Sequence, residues 1–411
     1  MTYWAQLLHF YQPPTQTHEI LRKVAEESYR PVVQVLKEHP GARIAINMNG
    51  VLTEMLAEHG FRDLLGDLRE LGERGQVEFV GTGKYHPILP LIPGTERARS
   101  IAEQAKTNGE LLGAAGSRGF FPPELCYSRE ILPEISAAGH EWVLLSGVAC
   151  PAEWPTTTVY RAPVDGGTIG VLFRDDVRSN RISFRETSPT HFIDDLSQAG
   201  GGQPAYVLTA MDAETFGHHL VGWEREFLAG TYRLIESAGS GSEPGPVQMV
   251  KPSELLGLFP EGPVVEPHRS SWSTSREDIA AMNPYPLWQA PGNEVHALQW
   301  EFVEHCLDAV TVARRYGTAN EALTFAGLAD ELLQPALHSC QFWWASQRPM
   351  WDVSMIYRGF ELLDRALLYA VKSVQLSEAS PPVKREVAWR LAAAGDIRTR
   401  IERTLFIESR A

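Results

Sequence analysis

Strand-like and helix-like segments alternate through the first two-thirds of this 411-residue chain, and that alternation restricts its fold more than any other feature. Short apolar runs rich in β-branched and aromatic residues lie at 3–8, 43–47, 77–80, 119–121, 142–145, 168–173, 205–209 and 247–250. Helical periodicity fills most of the gaps, at 18–38, 50–58, 61–74, 95–112, 129–138, 191–199 and 223–237. Repeated β-then-α units predict a parallel sheet covered by helices. With this many units, closure into a barrel is expected over an open sheet, and a barrel gathers its functional side chains at the carboxyl ends of its strands. Segment 150–176 interrupts the pattern and reads as an inserted β-hairpin around Asp165-Gly166-Gly167. The run AGSGSEPGP at 238–246 reads as a mobile loop. After about Ser270 only helical periodicity remains, at 294–316, 320–338, 352–373 and 382–407. The expected division is a catalytic barrel over 1–268 and a helical bundle over 269–411 that packs on it and completes the cleft.

The strand ends carry the chemistry. His9, Tyr11 and Gln12 follow the first strand, and Tyr85 and His86 follow the third. Glu124 follows Gly119-Phe120-Phe121-Pro122-Pro123. Asp212, Glu214 and His218 follow the apolar run that starts at Ala205. Carboxylates rarely sit at the end of a buried strand without a partner or a task. Two of them from distant strands, facing one groove, are what cleavage of a sugar–sugar bond requires. Glu124 is assigned as nucleophile and Asp212 as general acid/base. The acid needs a raised pKa, which burial and a nearby negative charge such as Glu214 supply. Histidines can donate hydrogen bonds to sugar hydroxyls and to the nucleophile.

Blander readings stand beside these. Glu124 is a candidate cap for the helix starting near Ser128. Asp212 and Glu214 are candidates for ion pairs with Lys84, Arg174 or Arg185. His9, Asp212, His218 and His219 could together ligate a divalent metal, as in a carbohydrate deacetylase, although no His-x-x-x-His spacing favours it. A non-catalytic sugar-binding protein on the same scaffold is the other competing class.

Thirty-seven basic residues against 51 acidic ones give a net charge of −14. Nucleic acid and anionic membranes need a basic face, so neither is expected as a partner; the charge fits a neutral substrate, such as the oligo- or polysaccharide that the two carboxylates imply. Cys126, Cys150, Cys306 and Cys340 form no CxxC pair. That argues against a zinc knuckle and for reduced thiols in a cytoplasmic setting. Cys126 reads as a small buried hydrophobe. Neither a secretory leader nor a membrane span is expected. Oligomeric state is open.

The segments Leu8-His9-Phe10-Tyr11-Gln12-Pro13, Tyr85-His86-Pro87-Ile88-Leu89-Pro90, Phe121-Pro122-Pro123-Glu124 and Asp212-Ala213-Glu214-Thr215-Phe216-Gly217-His218 resemble, in order and spacing, the successive conserved regions of glycoside hydrolase family 57. The resemblance implies an incomplete seven-stranded β/α barrel with a C-terminal helical bundle. It implies a retaining mechanism without metal or other cofactor, acting on α-glucans or related α-glycosides. The family's nucleophile falls on Glu124 and its acid/base on Asp212. Many members read His-x-His-Gln-Pro in the first region, and Tyr11 replaces the second His here. Candidates for the variable fifth region are Trp343, Trp344 and Asp352, while Trp272 and Trp288 stand near the domain junction. Amylase-like hydrolysis is favoured over 4-α-glucanotransferase, branching or α-galactosidase activity.

Overall fold

The computed structural model describes residues 1–239, 245–346, 348 and 352–406. Residues 240–244 of the expected loop, and Ile407 of the last expected helix, lie outside the described residues. The chain forms two compact units: Met1–Lys84 with Leu89–Ile279, and Tyr85–Ile88 with Ala280–Ala411.

The first unit holds the strands β1 (Thr2–Phe10), β2 (Ile44–Met48), β3 (Val77–Val80), β4 (Gly119–Phe120), β5 (Trp142–Leu145), β6 (Val159–Val164), β7 (Gly167–Phe173), β8 (Ala205–Asp212), β9 (Val247–Val250) and β10 (Glu261–Val264). They pair as two sheets, β3-β2-β1-β8 with β9 also on β1, and β10-β6-β7-β5-β4. Two seams join them. The Gly81 N–H bonds Gly119 O at 2.9 Å and the Phe121 N–H bonds Gly81 O at 2.8 Å, linking β3 to β4. The Asp175 N–H bonds Leu208 O at 2.7 Å, linking the end of β7 to β8. The wall therefore runs β1-β2-β3-β4-β5-β7-β8 and returns to β1. It is a curled seven-stranded β/α barrel whose seams carry few bonds.

The hairpin of β6 and β7 exists, but β7 is not an insertion. It pairs in parallel with β5, from Trp142↔Gly170 to Leu145↔Phe173, and β6 runs antiparallel to it. Its last five residues, Ile169–Phe173, are buried on both faces, as a wall strand under helices requires. Strand β10 has no apolar run to announce it. It contains Gly262 and Pro263, which an edge strand tolerates.

Side-chain alternation splits the apolar residues into two clusters. Ala5, Leu7, Ala45, Leu144, Leu172, Tyr206, Leu208 and Ala210 fill the barrel. Trp4, Leu8, Phe10, Ile44, Ile46, Val207 and Met211 face the helices. The helix Arg62–Glu73 shows why those helices dock. Leu64, Leu65, Leu68 and Leu71 form one buried stripe, and burying each leucine is worth about 1.5–3 kcal/mol.

The second unit contains the helices Glu294–Tyr316, Asn320–Ala336, Val353–Leu376 and Pro381–Phe406, with a short turn at Cys340–Trp343. Phe302, Val303, Leu363, Leu367, Ile397 and Ile401 are among its buried residues. Two of its helices start on side-chain caps: Asn293 Oδ1 accepts from the His296 N–H and Asp352 Oδ1 from the Met355 N–H, both at 3.1 Å.

Candidate active site

The inward series of three neighbouring strands turns polar at the same level. In β1 Ala5 and Leu7 lead to His9; in β2 Ala45 leads to Asn47; in β8 Leu208 and Ala210 lead to Asp212. The register aligns Asn47 with His9 and His9 with Asp212. Residues level with one another on parallel strands point to the same face. A row of amide, imidazole and carboxylate thus crosses the carboxyl end of the barrel.

His9 is buried among aromatics. Its ring stacks on Phe121 at 4.8 Å and 14°, lies 6.0 Å from Tyr11, and meets Trp272 edge-on at 5.9 Å. Nδ1 is 2.7 Å from Asn47 Oδ1. Burial lowers the His9 pKa to about 4, against the support of the Asn47 bond.

Glu124 sits in a short turn with φ 59° and ψ 16°, a left-handed conformation that non-glycine residues seldom adopt. Such a backbone costs of the order of 1–3 kcal/mol and persists where its surroundings fix it. Trp272 does the fixing. Its main-chain N–H bonds the Glu124 carbonyl at 3.1 Å, and its indole N–H donates to Glu124 Oε2 at 3.0 Å. Glu124 is half-buried and caps no helix. Through Phe121, His9 and Trp272, the turn carrying Glu124 is in aromatic contact with the row carrying Asp212.

Asp212 is also half-buried, and among the described residues its carboxylate has no hydrogen-bond partner. Loss of solvent raises its pKa, and the Arg174 cation pulls in the opposite direction. The Arg174 guanidinium is spent elsewhere, on Ala210 O at 2.7 Å, Asp176 at 2.7 Å and Asn180 at 2.9 Å. Lys84 pairs with Glu54 at 2.8 Å and Arg185 with Glu226. None of the three cations expected as ion-pair partners bonds either carboxylate of this loop.

Glu214 lies in the turn Ala213–Thr215 and accepts from the Tyr29 hydroxyl and from Gln12 Nε2, the latter at 3.2 Å. Its pKa is raised first by burial and then by the charge of Asp212. The helical stretch expected over 18–38 is interrupted by a π-turn at Ala25–Tyr29, and this turn grips the loop. Ser28 Oγ donates to Ala213 O at 2.8 Å, and Glu27 pairs with His218 at 2.7 Å. Gly217 has φ 102°, and a Cβ there would lie 1.9 Å from the Glu27 carbonyl, so no other residue fits.

His218, also expected at the site, is held by the π-turn. His218 is committed to Glu27 and packs beside His219 at 5.4 Å. With His9 on Asn47, the proposed metal donors are not gathered, and among the described residues no group of three His, Cys, Asp or Glu could hold an ion. Tyr85, His86, Trp344 and Asp352 belong to the second unit. There Tyr85 is half-buried, and His86 Nδ1 lies 2.9 Å from Ser339 Oγ. Trp344 packs edge-on against Trp343 at 4.6 Å, and Asp352 is the helix cap already described. Asn47 and Tyr29 were not legible as site residues, and Arg174 was legible only as an ion-pair partner. Asn47 had one available signal, its place two residues beyond an inward alanine. A groove of about 590 Å³ opens at the carboxyl ends of β5 and β7, lined in part by Gly147, Val148, Trp154, Asp176 and Thr274.

The sequence profile of Glycosyl hydrolase family 57 matches residues 4–266, a span that holds both Glu124 and Asp212. The chain belongs to glycosyl hydrolase family 57. Among family 57 relatives, an alpha-amylase of Pyrococcus horikoshii is 28% identical over 290 residues, which are 67% of this chain and 43% of that protein. A 4-alpha-glucanotransferase of Thermococcus kodakarensis is 29% identical over 242 residues, 54% of this chain and 35% of that one. The matched region thus spans less than half the length of these curated relatives. The family 57 branching enzyme of Pyrococcus horikoshii superposes with a TM-score of 0.72 at 17% identity, covering 96% of this chain and 95% of its own. The fold is that of family 57. No helix among the described residues is long and apolar enough to cross a membrane, and none of the four cysteines is in a disulfide.

Proposed function

We propose that this chain is a retaining glycoside hydrolase of α-glucans or related α-glycosides, acting through a covalent glycosyl-enzyme. Glu124 attacks the anomeric carbon while Asp212 protonates the departing oxygen. Asp212 then deprotonates the water that releases the sugar. The observation that carries this reading is the contrast between the two carboxylates. One is clamped by Trp272 in a strained turn, as a nucleophile must be aimed. The other faces the barrel mouth, partly desolvated and unbonded, as a group that must pick up and release a proton should be. Gln12 and His9 contact the sugar in this reading, and Glu214 keeps a proton near Asp212. A sugar hydroxyl in place of water turns the same chemistry into transglycosylation. The amylases and 4-alpha-glucanotransferases among the relatives fit either outcome. Four cysteines outside any disulfide support a cytoplasmic setting.

The test is product analysis with maltooligosaccharides and glycogen, followed by azide rescue. Shortened chains indicate hydrolysis, lengthened or newly branched ones transfer. Glu124→Ala should be inactive alone and yield a β-glycosyl azide with azide present. Asp212→Ala should yield the α-azide. An active Glu124→Ala protein without azide refutes the assignment.

A further inference from the structure

The loop after Asp212 lies between two π-turns, Ala25–Tyr29 and Glu224–Ala229. In an α-helix successive residues are about 100° apart, so residues i and i+2 point to nearly opposite sides. A π-turn closes its hydrogen bonds over five residues instead of four, and the wider turn brings such residues closer together on one side. Here three consecutive residues reach the same loop. Glu27 pairs with His218 at 2.7 Å, Ser28 Oγ donates to Ala213 O at 2.8 Å, and the Tyr29 hydroxyl donates to Glu214. From the other side, Phe216 stacks on Phe227 of the second π-turn, with ring centroids 6.4 Å apart and planes at 19°. Arg225 of that turn pairs with Glu38, at the end of the helix Arg30–Glu38 into which the first π-turn runs. Loop and turns therefore form one tied block.

Ser28 holds the most telling point of it. The residue is fully buried, and a hydroxyl has a single proton to donate. Inside a helix that proton commonly goes to the carbonyl four residues back. Ser28 gives it instead to a carbonyl 185 residues away in sequence. Ala213 stands between Asp212 and Glu214, so the bond fixes the main chain between the two carboxylates. The parallel ladder from Thr2↔Ala205 to His9↔Asp212 fixes the chain up to Asp212, and Ser28 fixes it just beyond. Among the described residues the Asp212 carboxylate has no hydrogen-bond partner, so the main chain on either side sets its position.

We propose that Ser28 is a positioning residue, which through Ala213 holds Asp212 where it can protonate the departing glycosidic oxygen. This rests on the reading of Asp212 as general acid. Ser28 touches no reacting atom. A group that delivers a proton must stand within hydrogen-bond reach of the oxygen that receives it. A misplacement of about 1 Å can cost a hundredfold in rate.

The experiment compares wild type with Ser28→Ala on two substrates, a maltooligosaccharide and α-maltotriosyl fluoride. The sugar oxygen leaves with a proton from Asp212, whereas fluoride leaves as an anion and needs none. On the maltooligosaccharide kcat/KM should fall about 10- to 100-fold, and on the fluoride it should stay close to wild type. An equal fall on both substrates, or no fall on either, overturns the proposal. A merely structural serine would lower the melting temperature without distinguishing the leaving groups. Ala213 O keeps the Phe216 N–H at 2.9 Å in this variant, which favours folding. If Ser28→Ala does not fold, amide exchange of the wild type decides. The Phe216 and His219 N–H groups, bonded to Ala213 O and Glu214 O, should exchange as slowly as those of β8. Exchange as fast as in an exposed loop overturns the proposal. If the wild type cleaves neither substrate, the functional reading fails. The same two amides in Ser28→Ala still show whether the serine holds the loop, and unchanged exchange there sinks the idea.

Discussion

Trp272 bonds Glu124 twice, through its main-chain N–H to the carbonyl at 3.1 Å and through its indole N–H to Oε2 at 3.0 Å. One residue therefore holds both the strained backbone and the carboxylate of the proposed nucleophile. Trp272→Phe keeps a ring and the main-chain bond and deletes one donor. A hydrogen bond to a charged group is worth about 1.5–3 kcal/mol, so kcat/KM on a maltooligosaccharide should fall roughly 10- to 100-fold. The melting temperature should change little. An unchanged kcat/KM would mean that the indole does not aim the carboxylate.

Asp212 and Glu214 titrate as a pair, both raised by burial, with the Asp212 charge adding to the rise at Glu214. Between its two steps the pair holds one proton. A general acid works protonated, and Asp212 ionises at the lower step while Glu214 is still neutral, so activity falls as pH climbs through that step. Glu214→Gln keeps a neutral neighbour there. The basic limb of kcat/KM should therefore stay in place, measured as a full pH–rate profile. A limb that moves to lower pH would show that the charge of Glu214 holds the proton on Asp212.

The same pair sets a pH dependence of stability. A carboxyl whose folded pKa is raised binds protons more tightly folded than unfolded. Its contribution is fully present below the unfolded value of about 4 and is lost as pH rises through the folded one. Glu214→Gln has nothing to ionise there. The melting temperature of Glu214→Gln relative to wild type should therefore increase steadily from about pH 5 to about pH 9. A constant difference across that range contradicts the raised Glu214.

Tyr29→Phe tests the opposite side of that contact. It leaves the buried Glu214 carboxyl with Gln12 as its remaining side-chain donor. The expected loss is about 1–3 kcal/mol in chemical denaturation, larger at high pH, where the carboxylate is charged. A loss that is the same at both ends of the pH range would show that Tyr29 matters only for packing.

Trp154 lines the groove at the ends of β5 and β7 and is 37% exposed. Exposed aromatic faces stack on sugar rings. Trp154→Ala should raise KM several-fold for long maltooligosaccharides, about 1 kcal/mol of lost contact, and leave short ones unaffected. Equal effects on every chain length would place the tryptophan outside the path of the glucan.

Residue order alone determined the kinds of element and most of their positions, because strand and helix periodicities are written in consecutive residues. The strands carrying His9, Asn47 and Asp212 are buried on both faces and read as near-continuous apolar runs, so their existence was plain while the face that turns inward was not. The long helices from Glu294 to Phe406 were similarly plain in their apolar spacing. Partners were not. Trp272 and Glu124 are 148 residues apart, and His218 and Glu27 are 191 apart. No local pattern says which distant side chain will fill a given hydrogen bond. The π-turn at Ala25–Tyr29 hid Tyr29 inside an ordinary-looking helix. The place of β7 in the wall depended on its pairing with β5 rather than on its own residues. Only closure of the barrel brought these groups within bonding distance. It fixed one carboxylate under an indole and left the other without a partner.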